Sequence, residues 1–268
     1  MIRSDVDKIQ RSGITAEESK AAFSDHFSTV SEKYAAYRPS YPDALFAWLA
    51  SVAPACRLAW DCATGSGQAA MGLASYFERV VATDASLAQV QSARSHSLVE
   101  YRVALAESSG LEDNSVDLVT VAQALHWFDM ERFFIEARRV LVENGILAVW
   151  AYGPLVVEGD EIDLIVQSFY SEVVGPFWPA ERAIVDSGYR DVLLPFKSVD
   201  VPIFDMRISW DLHELLGYIR TWSATARFIE VNGTDPVSQL GKQLSGYWGP
   251  ADCRRIISWP LVVLAGRA

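Results

Sequence analysis

Between residues 57 and 150, short apolar runs alternate with segments whose apolar positions recur at helical spacing. The runs at 58–61, 80–84, 101–106, 116–123 and 146–150 read as buried strands. The segments at 68–77, 86–97 and 130–143 read as helices. The last has the clearest face: Met130, Phe133, Phe134, Ala137, Val140 and Leu141 fall together, Asp129 stands at the N-cap position, and Gly145 follows the end. Strands and helices in strict alternation predict βα units feeding a parallel sheet.

On either side of this region the pattern changes. Residues 1–20 are polar and read as a loose arm, followed by a helix over 21–37 that Pro39 and Pro42 stop. Asp43 then caps a helix over 44–52. Beyond Gly153, helical stretches at 161–174 and 181–187 are interrupted by Gly175-Pro176-Phe177-Trp178-Pro179. A long strand is predicted at 199–210, helices at 211–225 and 236–247, and a closing strand at 256–265. The expected organisation is an arm and cap helix over 1–42 and a Rossmann-like α/β core over 43–153. Residues 154–268 would supply a helical lid insertion together with the last core strands.

Composition narrows the classes. With 268 residues, 50% of them hydrophobic and 21% charged, the chain can bury a core without disulfide or metal staples. A formal charge of −11 repels phosphate backbones, so nucleic acid is not an expected partner. Cys56, Cys62 and Cys253 form neither a CxxC nor a ligand cluster, which points to buried thiols in a reducing compartment and to no metal site. The first residues lack an apolar signal region, and no window reaches the roughly 18 apolar residues of a membrane span, so a cytoplasmic chain is expected.

The candidate chemistry begins where the first strand meets its helix. Asp61, Ala63, Thr64, Gly65, Ser66, Gly67 and Gln68 form a glycine-containing loop, and free N–H groups at a helix start attract polar or negative ligand atoms. Gly65-x-Gly67-x-x-Ala70, with Asp84 further on, also fits a relaxed dinucleotide fingerprint. Charge separates the two readings. A pyrophosphate would be opposed by Asp61, whereas S-adenosylmethionine carries an ammonium and a sulfonium and no phosphate, so a carboxylate there is favourable. Asp84, followed by Ala85 and Ser86, ends the second strand, where a carboxylate can accept from both ribose hydroxyls or cap the next helix. Ala106 and Glu107 end the third strand and can meet an adenine edge; a solvated loop acid is the alternative for Glu107.

The Asp61-x-Ala63-x-Gly65-x-Gly67 loop, Thr83-Asp84-Ala85-Ser86, Asp113-Asn114-Ser115-Val116-Asp117 and Ala124-Leu125-His126-Trp127-Phe128 together resemble class I S-adenosylmethionine-dependent methyltransferases. Tyr34-x-x-Tyr37-Arg38-Pro39-x-Tyr41-Pro42, the run from Ala122 to Asp129 and Thr221-Trp222-Ser223-Ala224 are similar to the trans-aconitate methyltransferase-like subgroup. The resemblance implies a seven-stranded, mostly parallel sheet in the order 3-2-1-4-5-7-6, with S-adenosylmethionine across the carboxyl ends of strands 1 to 4. Two positions depart from the family pattern: Ala63 replaces its usual first loop glycine, and Leu105 replaces an acid that bonds the adenine amino group.

Methyl transfer is an in-line displacement, so the protein chiefly aligns acceptor and donor and excludes water. His126, just past the fourth strand, is the base candidate, with a packed, hydrogen-bonded histidine as the alternative. Gln123 and Ala124 are expected to face the cofactor, and Tyr34 and Arg38 to fold over it, Arg38 pairing with its carboxylate. Trp127, Trp178, Trp222 and Arg227 are candidate walls for a small acidic or planar methyl acceptor. The expected function is small-molecule methylation, with an O-methyl bond and a carboxylate acceptor suggested by the subgroup. A nicotinamide-dependent oxidoreductase and a non-catalytic S-adenosylmethionine-binding protein are the competing readings.

Overall fold

The computed structural model describes residues 39–250 and 252–268. The expected arm, the helix over 21–37, and Tyr34 and Arg38 lie outside the described residues.

Five parallel strands build the first part of the sheet: β1 (Leu58–Cys62), β2 (Arg79–Asp84), β3 (Val99–Val103), β4 (Val116–Ala122) and β5 (Leu141–Tyr152). Their order is β3-β2-β1-β4-β5. Successive residues of a strand face opposite sides. Ala59, Val80, Ala82, Leu118, Ala148 and Trp150 therefore meet α1 (Asp43–Val52) and α2 (Gln68–Leu73) in one core, while Trp60, Val81, Val119, Val121 and Val149 pack in a second. The second core takes Phe133, Ala137 and Val140 from α4 (Met130–Val140), and α3 (Leu87–Ser92) buries none of its residues. Of the three cysteines expected inside, only Cys62 is buried; Cys56 and Cys253 are half-buried.

The chain then adds β6 (Val156–Val157), α5 (Asp160–Ser168), α6 (Arg182–Asp186), β7 (Lys197–Ser198), β8 (Asp205–Trp210), α7 (Leu212–Arg220), α8 (Ser223–Asn232), α9 (Pro236–Trp248) and β9 (Arg255–Arg267). β9 organises this half. Its end, Leu261 to Arg267, pairs antiparallel with β5, and its start pairs with β8 from Arg255 to Pro260. β6 and β8 both pair with Ile257 and Ser258, so they flank β9 on opposite sides, β6 prolonging the line of β5. With β9 as the seventh strand and β8 as the sixth, the order is the expected 3-2-1-4-5-7-6. The helices join the first core through Ile162, Val166, Leu215, Ile219, Leu240 and Leu244, around rings of Trp210, Tyr218, Trp222 and Trp259.

Several expected boundaries are corrected. The helix predicted over 130–143 ends at Val140, and Leu141, still buried, turns to extended backbone and pairs with Val116. The strand predicted over 101–106 ends at Val103, which frees the following residues as a loop. Of the long strand predicted over 199–210 only Asp205–Trp210 forms; residues 199–204 are irregular and contain Pro202, which has no N–H to give a ladder. The helix predicted over 211–225 divides at Trp222, whose backbone is extended. No helix among the described residues is long and apolar enough to cross a membrane.

Candidate active site

The glycine loop leaves β1 at Cys62 and enters α2 at Gln68. Ala63, Gly65 and Gly67 all have left-handed backbone, with φ of 55°, 56° and 85°. At Gly67 a side chain is also excluded by volume, since an added Cβ would lie 2.2 Å from the Tyr101 hydroxyl. That hydroxyl is buried without a partner, and burial first, then the charge of Asp61, pushes it up to about 12. Ala63 keeps the turn despite its methyl because the following residues are pinned. The Thr64 N–H donates to Thr83 O at 2.9 Å, and the Gly65 N–H to Asp84 Oδ2 at 2.9 Å.

The two predicted carboxylates meet this loop from different depths. Asp61 is fully enclosed beneath it and accepts from Thr64 Oγ1 at 2.6 Å and Thr120 Oγ1 at 2.9 Å. Burial raises it to about 6 against those hydrogen bonds, so it is mostly ionised at pH 7. Asp84, at the end of β2, is only partly covered. Its two oxygens accept from the N–H groups of Gly65 and Ser86, the second at 2.8 Å, and burial raises it against those two hydrogen bonds. Each oxygen keeps a lone pair for a further donor. Ser86 also caps α3, while Ala85 is exposed and Ser66 half-buried.

The loop after β3 brings Ala106 to the edge of the second core and leaves Leu105 at 48% exposure. Glu107 turns toward α4, where its Oε1 accepts from the Asp129 N–H at 3.1 Å. Ser109 is tied to the buried Glu136 through both its N–H (2.8 Å) and its hydroxyl (2.5 Å). Gln68 donates its side-chain amide to Pro39 O at 2.6 Å, and Gln123 donates its own to Tyr152 O at 3.3 Å. Gln123 has φ of 59°, a turn that carries the chain off β4 into Ala124 and the 3₁₀ turn Leu125–Trp127.

His126 sits in that turn, its ring 4.7 Å from Trp127 and its Nδ1 3.5 Å from Tyr189 Oη, the outer limit of a hydrogen bond. Burial, then the charge of Arg182, lowers it to about 4, so it is neutral at pH 7. Tyr189 is buried, with left-handed backbone (φ 54°) after Gly188. Trp178 packs at a tilt between Tyr170 at 5.1 Å and the buried Trp222 at 5.8 Å, and Arg227 is exposed on α8. Sequence reasoning missed Tyr189, Arg182 and Tyr170. Only the i,i+4 spacing of Arg182 and Asp186 signalled any of them, because the rest depends on α6 docking near the end of β4.

Comparison with known proteins adds a family to this geometry. A family model of a methyltransferase domain matches residues 60–149, which span β1 to β5. A protein described as a methyltransferase in Dictyostelium discoideum is 35% identical over 225 residues, covering 83% of this chain and 86% of that one. The chain belongs to the class I S-adenosylmethionine-dependent methyltransferases. A solved structure described as a type II methyltransferase from Anaeromyxobacter dehalogenans overlays this methyltransferase with a TM-score of 0.82 at 42% identity, covering 86% of this chain and 98% of that one. A Saccharomyces cerevisiae protein named as an S-adenosylmethionine-dependent methyltransferase is 30% identical over 131 residues, 46% of this chain and 45% of that one.

The cofactor of the methyltransferase is S-adenosylmethionine, which sets aside the dinucleotide reading of the loop. The residues present fit it. Asp61 and Asp84 put negative charge at the loop, no Lys or Arg stands between residues 61 and 70 to favour a pyrophosphate, and the nearest atom to a Cβ added at Gly65 would be Gln89 Oε1 at 3.9 Å.

Proposed function

We propose that this methyltransferase methylates an oxygen of a small molecule, with His126 taking the proton of a hydroxyl acceptor. The observation that carries the reading is the His126 imidazole in the turn just past the carboxyl end of β4, its Nδ1 3.5 Å from Tyr189 Oη. A neutral ring starts the reaction with a lone pair. In the tautomer that donates Nδ1–H toward Tyr189 Oη, that lone pair is on Nε2. When bound, the cofactor supplies an electrophilic methyl group. On this reading Asp84 accepts from the ribose hydroxyls, and the Gly65 to Gly67 turn lets the methionine portion approach the backbone. Main-chain groups at Ala106 meet the adenine edge, while Gln123, Ala124, Tyr34 and Arg38 complete the cofactor site. The helical part of residues 154–268 acts as the acceptor-side lid, with Trp127, Trp178 and Trp222 excluding water.

The resemblance of the Ala122 to Asp129 run and of Thr221-Trp222-Ser223-Ala224 to the trans-aconitate methyltransferase-like subgroup supports oxygen as the acceptor and keeps a carboxylate as a second reading. The two readings differ in their need for a base, since a carboxylate is already ionised at neutral pH. For a hydroxyl acceptor, His126→Gln is expected to lower kcat by about 10²- to 10⁴-fold, with the Kd for S-adenosylhomocysteine within twofold of the parent. An unchanged kcat would return His126 to a packing role. The parent experiment supplies labelled methyl donor to a metabolite extract and identifies the product by mass spectrometry and NMR. Methyl found only on nitrogen or carbon would overturn oxygen transfer.

A further inference from the structure

A groove of about 360 Å³ opens where α5 runs through the π turn Phe169–Val173 and the 3₁₀ turn Gly175–Phe177 toward α6, and its lining includes Tyr170, Trp178, Pro179, Arg182 and Asp186. Its volume falls within the roughly 300–1,000 Å³ of small-molecule sites. Among the described residues lining it, Arg182 is the single cation and Asp186 the single anion, and they neutralise each other. Arg182 Nε donates to Asp186 Oδ1 at 2.8 Å, and the Tyr170 hydroxyl donates to the same carboxylate at 2.9 Å. The guanidinium also lies over Trp178, its Cζ 4.9 Å from the ring centroid. What the groove offers is ring surface and hydrogen-bonding groups with no net charge. The Trp178 indole N–H is buried without a partner, so a ligand oxygen that reaches it would satisfy a donor now unpaired.

We propose that this groove holds the ring of an uncharged, planar methyl acceptor whose hydroxyl is acidified by conjugation, a phenol or an enol, and that it disfavours a polycarboxylate. The assignment rests on the oxygen-transfer reading given above. Arg182 links the two places: it lines the groove on α6, and α6 packs against the 3₁₀ turn that carries His126. A carboxylate entering here would lose hydration and find the guanidinium already paired, a desolvation cost with little return. The depressed basicity of His126 points the same way, because a weak base takes a proton efficiently only from an acidified hydroxyl. In the step, the hydroxyl oxygen forms the new bond to the methyl carbon while the C–S bond breaks. The hydroxyl proton passes to His126, and S-adenosylhomocysteine leaves as a neutral thioether.

The test compares kcat/KM for methyl 4-hydroxybenzoate, 4-hydroxybenzoate and trans-aconitate in the parent and in Asp186→Asn. The parent is expected to prefer the neutral ester over its anionic twin by about tenfold or more and not to turn over trans-aconitate. Asp186→Asn frees the charge of Arg182 and is expected to shift the ester-to-anion ratio about tenfold toward the anion. Its Kd for S-adenosylhomocysteine, read by calorimetry, should stay within twofold. Faster turnover of the anion or of trans-aconitate by the parent, an unchanged ratio in the variant, or no transfer to either phenol would each overturn the groove assignment. Methyl found on other oxygen acceptors in the extract would then leave the oxygen-transfer reading standing, and its absence from every oxygen would remove both.

Discussion

Ala63 holds a backbone conformation that glycine adopts freely and an L side chain adopts at a cost of roughly 1 kcal/mol. Ala63→Gly is therefore expected to raise stability by up to about 1 kcal/mol in urea unfolding; a loss would mean that the methyl is packed rather than strained. Asp84 sits at the opposite extreme, where one side chain serves both loop and ligand. Asp84→Ala should weaken S-adenosylhomocysteine binding about tenfold or more. It should also cost about 1–3 kcal/mol of stability, because the N–H groups of Gly65 and Ser86 lose their acceptor. Calorimetry and urea melts read the two effects separately. Both carboxylates were legible from strand ends, Asp61 from the glycine loop that follows it as well. Their division of labour was not, since Thr120, which helps enclose Asp61, lies 59 residues away in the chain.

At the scale of elements, the apolar periodicity located every core strand and helix, and at the end of α4 a local signal was overruled by pairing. Leu141 shares the helical face of Phe133 and Ala137, yet the ladder to Val116 claims it for β5. Helix against helix, the close approach of α1 and α2 depends on Gly72, where an added Cβ would meet the Phe46 ring at 2.2 Å. Gly72→Ala should gain helix propensity but lose about 1–3 kcal/mol net through overpacking, and the accompanying Phe46→Ala change should relieve the interaction in a double-mutant cycle. The start of β1 is held by the buried Asp117, which accepts from the N–H groups of Arg57 (3.0 Å) and Leu58 (3.1 Å). Its clamp lies on the opposite end of the sheet from the ligand loop, so it concerns stability rather than binding.

Across the whole molecule, two buried groups work against each other with pH. Asp61 is raised from 3.8 to about 6 on folding, so its contribution is fully present below pH 3.8 and is lost as pH rises through 6. His126 is lowered from 6.5 to about 4, so its contribution is present above pH 6.5 and is lost as pH falls toward 4. Between pH 4 and 6 the two nearly cancel. His126→Gln removes one arm, and its stability relative to the parent should improve as pH falls from 7 to 4.5; an identical difference at both values would show that the imidazole is not held neutral. The β9 strand supplies the other molecular-scale effect. By pairing with β5 on one side and β8 on the other, it brings the chain end into the sheet that carries the loop.

The order of apolar and polar residues by itself determined that a parallel sheet forms, that a glycine turn follows its first strand, and that carboxylates rather than cations meet the ligand there. These are properties of neighbouring residues, for which period, charge and turn chemistry suffice. Only the tertiary structure decided that Asp61 lies under the loop, that Glu107 turns to the start of α4, and that Tyr189 and Arg182 come to His126. Each of those depends on contacts between residues far apart in the chain, and on how much water the packing removes from a charge, which no local pattern encodes.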